Sequence, residues 1–60
     1  MNLYKMLSDI FTLSPQLEDW YNETSMENNA AFDACVLAMH SQGLSPAEMV
    51  PRLKKIILSL

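Results

Sequence analysis

The sequence predicts an all-α fold: a compact bundle of three to four short helices, one helical domain over residues 1–60, expected to pair as a dimer. Three observations point there. The apolar segments recur at the three-and-four spacing of a helix face, no stretch sustains the alternation of a strand, and Ser-Pro pairs stand where helices should begin.

Residues 2–13 place Leu3, Met6, Leu7, Ile10 and Phe11 at i, i+3, i+4, i+7 and i+8, which makes the segment an amphipathic helix. Ser14-Pro15 then offers a hydroxyl N-cap followed by proline at the first helical position, where its missing N–H does no harm. The second helix carries Leu17, Trp20 and Tyr21 as one apolar patch. It is expected to be short, because it fades into Asn22, Thr24 and Ser25, residue types that favour caps and turns. Ser25 is placed to cap a third helix reaching about residue 42, apolar nearly all round from Ala30 to Met39. A helix of that kind is usually enclosed by others, and its alanines would admit a close neighbour, so it is expected to be the central helix.

Gly43 supplies a left-handed stop, with Leu44 positioned for the apolar contact that accompanies it. Ser45-Pro46-Ala47-Glu48 combines an N-cap, proline at N1 and glutamate at N3, the capping-box pattern. The fourth helix presents Met49, Val50, Leu53, Ile56, Ile57 and Leu60 on one face, while Lys54 and Lys55 suit its negative end. Pro51 cannot donate to the Ala47 carbonyl, so either a kink or a helix that begins near Pro51 is expected.

A chain of 60 residues buries only roughly 60% of the surface it exposes when unfolded, so its core is small. Cys35 is the only cysteine and His40 the only histidine, which excludes an intramolecular disulfide and a four-ligand zinc site. Packing or association must stabilise the fold. Half of the residues are apolar, which sets the chain apart from a disordered tail. The longest apolar run, near residues 34–39, is far below the roughly 20 residues of a membrane span. The N-terminus lacks the basic-then-apolar design of a signal peptide, so the chain is expected to be soluble and cytoplasmic, with no membrane partner. In that setting the sequon Asn22-Glu23-Thr24 is a chance match.

The net charge is −3, and its distribution is uneven. Asp9, Glu18, Asp19, Glu23, Glu27 and Asp33 run through the first half beside Lys5 alone, whereas Arg52, Lys54 and Lys55 are the only charges after Glu48. That balance argues against a nucleic-acid partner, since a grip on phosphates depends on clustered Lys and Arg. Cys35 and His40 are separated by five positions on one helix and point about 140° apart, so they cannot act as nucleophile and base. There is no second convergent carboxylate cluster, and Gly43 alone makes no phosphate-cradling loop. No catalytic, metal or cofactor-binding residue is assigned, and the chain is not expected to be an enzyme.

The candidate partner-binding residues are Asp19, Glu23, Glu27, Trp20 and Tyr21. The three carboxylates recur every four residues, so a continuous helix would align them as an acidic stripe, either simply solvated or facing a basic partner. Trp20 and Tyr21 serve either the core or an interface, where such rings are favoured anchors. The candidate self-association residues are Leu53, Ile56, Ile57 and Leu60. Too few polar residues remain to enclose these together with Leu58 and the first helix, and a two-fold partner would cover them.

The stretch GLSPAEMVPRL, residues 43–53, resembles the first helix of helix-turn-helix DNA-binding domains, but KKIILSL follows it without the glycine turn and polar reading helix such domains use. No DNA-contacting residue is carried over, and a degenerate DNA-binding regulator is the alternative reading. Taken whole, the acidic, methionine-rich span from MNLYKMLSDIFTL to KKIILSL, with its start methionine and helix caps, resembles the small accessory proteins of the early regions of temperate, lambda-like bacteriophages. That resemblance implies a non-enzymatic regulatory protein that acts through contacts with another protein in the host cytoplasm.

Overall fold

Every helix of this chain begins where a short polar side chain turns back on the backbone. The computed structural model describes residues 2–58, which form α1 (Leu3–Leu13), α2 (Pro15–Glu23), α3 (Met26–Ser41) and α4 (Pro46–Leu58), with no strand among the described residues. The Asn2 side chain accepts from the Lys5 N–H at 3.3 Å, Ser14 Oγ from Leu17 at 3.4 Å, Ser25 Oγ from Asn28 at 3.1 Å and Ser45 Oγ from Glu48 at 3.3 Å. Each satisfies one of the backbone donors that a helix start leaves unpaired. Ser14 also ends α1, its N–H donating to the Ile10 carbonyl at 2.9 Å, so one residue buried to 2% exposure separates the two helices.

The α3–α4 connection follows from Gly43, whose φ of +84° lies in the left-handed region that side chains with a Cβ avoid. Gly43 N–H donates to the His40 carbonyl at 2.9 Å and Leu44 N–H to the Met39 carbonyl at 3.1 Å. This pair of bonds is the Schellman closure, and Leu44 and Met39 both pack half-buried on the core. Next comes a complete capping box, in which the Ser45 N–H returns a bond to Glu48 Oε1 at 3.0 Å. It fixes the start of α4 at Pro46, so of the two alternatives, a kink or a start near Pro51, the later start is the one corrected: Pro51 lies inside the helix. One residue beyond the missing donor, Arg52 Nη1 donates to the Glu48 carbonyl at 3.0 Å.

The core joins Met6, Leu7 and Ile10 of α1, Leu17 of α2, Phe32 and Val36 of α3, and Met49 and Leu53 of α4. Helix α1 packs against α2 and α4, and α4 in turn meets α3. The Cα radius of gyration is 10.4 Å, as compact as a folded chain of this length should be at about 10 Å.

Helix α3 is therefore not the enclosed centre that its composition suggests. Only Phe32 and Val36 are buried, whereas Ala30, Ala31, Ala34, Leu37 and Ala38 are exposed. Alanine counts as apolar in a sequence pattern, yet one methyl buries little area, so the bulky Phe32 and Val36 decide which face turns inward. Among the described residues, no helix is long and apolar enough to cross a membrane.

Candidate functional site

Leu17 anchors α2 in the core, and the helical spacing then leaves Gln16 and Trp20 on its flank toward the end of α4. The Trp20 ring is half-buried and lies 5.7 Å from the centroid of Phe32, which fixes the indole across the junction of α2, α3 and α4. Two surface depressions meet there. One is lined by Ala31, Phe32, Cys35 and Asn28 of α3 with Leu53, Ile56 and Ile57 of α4, and the other by Gln16, Leu17, Lys54, Ile57 and Leu58; Trp20 lines both. Their volumes are about 80 and 250 Å³, room for an apolar side chain in each. Beside them Ile56 is 42% and Leu58 83% exposed, which makes this an apolar surface with little cover.

Tyr21 turns the other way. Its ring sits 5.3 Å from both Phe11 and Phe32, and its hydroxyl donates to the Asp33 carboxylate at 3.0 Å to Oδ1 and 3.2 Å to Oδ2. Burial raises the phenol above its usual range, and the hydrogen bond and negative charge of Asp33 add to the shift. The hydroxyl is thus already engaged within the chain, where it ties α2 to α3.

The acidic stripe is not continuous. Helix α2 ends at Glu23, where the Thr24 N–H donates to the Trp20 carbonyl at 3.0 Å, and Ser25 caps a new helix, so Glu27 belongs to the first turn of α3. Asp19 and Glu23 remain one turn apart on α2, all three carboxylates are exposed, and Glu23 follows Trp20 by three positions on the neighbouring flank. The self-association set divides as well. Leu53 is 1% exposed and belongs to the core, which corrects its placement at an interface, because the row from Met49 to Leu53 is the face that α4 turns inward. Ile57 is half-buried, Ile56 is exposed, and Leu60 lies outside the described residues.

The fold thus brings Trp20, from the partner-binding set, together with Ile56 and Ile57, from the self-association set, on one surface. The sequence reading missed Gln16, Asn28 and Ala31 as its lining, since no periodicity within one helix reveals a row contributed by three. Cys35 lines the first depression, whereas His40 lies beside Asn2 and Lys5 near the start of α1, so the two do not share a site. Among the described residues, no group of three or more His, Cys, Asp or Glu is arranged to hold a metal ion. Comparison with protein-family models, with curated proteins and with solved structures gives no match for this chain.

Proposed function

We propose that the chain is a non-enzymatic protein–protein interaction module whose docking surface is the apolar patch around Trp20 and Ile57. One observation carries the reading: three helices converge around a half-buried indole packed on Phe32, with two depressions beside it and Ile56 and Leu58 exposed at their edge. A pre-positioned aromatic ring loses little conformational freedom on binding, and apolar side chains seated beside it are removed from water, the combination that gives interface anchors their strength. The regulatory role and cytoplasmic setting implied by the likeness to phage accessory proteins belong to this proposal on the strength of the sequence alone.

The test is a tagged pull-down that compares the wild type with Ile56→Glu and Leu58→Glu. Both positions are exposed, so each variant should keep its helical circular dichroism. Protein retained by the wild type, whether a second copy or another chain, should be lost from the variants. Retention of everything by folded variants would remove the docking surface. A steeply salt-dependent DNA shift by the wild type would favour the DNA-binding alternative instead.

A further inference from the structure

Charged side chains of opposite sign stand on two of the helices that meet at the docking surface. On its α4 side Lys54 lines the depression shared by Trp20 and Leu58. On its α2 side Glu23 follows Trp20 by three positions, and Asp19 precedes Glu23 by one turn, both exposed. The same split runs through the chain: residues 1–41 hold six carboxylates against Lys5, and residues 42–60 hold three basic side chains against Glu48. A surface where a basic side chain comes from one helix and the neighbouring helix carries carboxylates can be complementary to a second copy of itself. A half-turn about an axis through the apolar centre exchanges the flanks, which sets the α4 side of one copy against the α2 side of the other.

From this we infer that the occupant of the Trp20 surface is a second copy of the chain, seated two-fold, with Leu58 of each copy entering the depression beside Trp20 of the other and Lys54 of each copy facing Glu23 and Asp19 of the other. The inference rests on the docking-surface reading above and deepens it by naming the partner. Leu58 is 83% exposed at the rim of a depression of about 250 Å³, so the chain presents both the apolar side chain and the space that receives it. The like net charge of the two copies does not oppose this pairing at close range. The flanks that meet are of opposite sign, and repulsion between the remaining exposed carboxylates is screened beyond about 8 Å at physiological salt.

Sedimentation equilibrium on the full chain, from micromolar to several hundred micromolar, tests the inference. The wild type should show a two-chain species. Leu58→Glu should raise the dissociation constant at least about tenfold, because it places a charge in an apolar depression. Glu23→Lys should raise it several-fold, and the double variant Glu23→Lys with Lys54→Glu should recover most of the loss, since the exchanged charges face each other again. That recovery is an effect that a purely structural role of either residue would not produce. A single 6.8 kDa species throughout would overturn the inference, as would a dimer unmoved by Leu58→Glu or by Glu23→Lys, or a double variant no tighter than the single ones. The two readings separate cleanly. A monomeric wild type whose pull-down still depends on Ile56 and Leu58 loses the second copy and keeps the docking surface, whereas a pull-down indifferent to both loses the surface itself.

Discussion

At the scale of single residues, the fold turns on a few polar or conformationally special positions. Ser45 and Glu48 close the start of α4 reciprocally, and Ser45→Ala should cost about 1 kcal/mol, measured as a lowered urea midpoint at unchanged slope. The Glu48 carboxyl is held below its ordinary value of 4.5, first by the Ser45 N–H and then by the Ser45 hydroxyl. Its folded-state value is depressed, so its contribution is fully present above about pH 4.5 and is lost as pH falls through the lower folded value. Glu48→Gln should therefore flatten part of the acid limb of a stability–pH curve. Tyr21 has the opposite sign: its phenol is raised, so its contribution holds below the unfolded value near 10 and fades as pH rises through the folded one. Tyr21→Phe should remove that alkaline limb and cost about 1 kcal/mol for the lost bond to Asp33. At Gly43 a Cβ would meet nothing within 4 Å, so Gly43→Ala should be destabilising by about 1–2 kcal/mol through the backbone alone, and Gly43→Asn by less. The Ser-Pro start and the lone glycine made Ser45, Glu48 and Gly43 legible in the sequence, whereas the bond from Tyr21 to Asp33 spans two helices and was not. Asn2 was not legible either, since neither a proline at the first helical position nor a glutamate at the third follows it.

At the scale of elements, α3 shows how sequence pattern and burial part company. Because only Phe32 and Val36 are buried, Phe32→Ala should cost about 3–5 kcal/mol, enough to unfold a domain of this size, whereas Ala34→Gln on the exposed face should stay within about 0.5 kcal/mol. Paired chemical-denaturation curves would check both. An enclosed α3 would instead make Ala34→Gln severe through overpacking. Helix α4 offers the complementary test. Pro51 is exposed and denies a donor to the Ala47 carbonyl, so Pro51→Ala should stabilise the chain by about 1–2 kcal/mol, after the lost stiffening of the unfolded state is subtracted. The capping box that precedes Pro51 explains why the helix still starts at Pro46: two reciprocal hydrogen bonds fix the first turn before the missing donor is reached.

At the scale of the whole molecule, the sequence by itself determined the helical segments, the serine caps of the last three helices and the glycine turn. These are local properties, governed by side chains within four residues of one another along a chain whose periodicity can be read directly. It also singled out Trp20, Ile56 and Ile57, though for two different roles. Only the tertiary structure decided that these three share one surface, that Leu53 is core, that Tyr21 is occupied by Asp33 and that α3 shows its alanine face to solvent. The physical reason is that each helix has more than one face able to turn inward, and the choice is made by which bulky side chains fill the space between helices at crystal-like density. A helical period locates a residue on its own helix but carries no information about the neighbour that helix will meet. The junction of α2, α3 and α4 around Trp20 therefore exists only once the chain has folded.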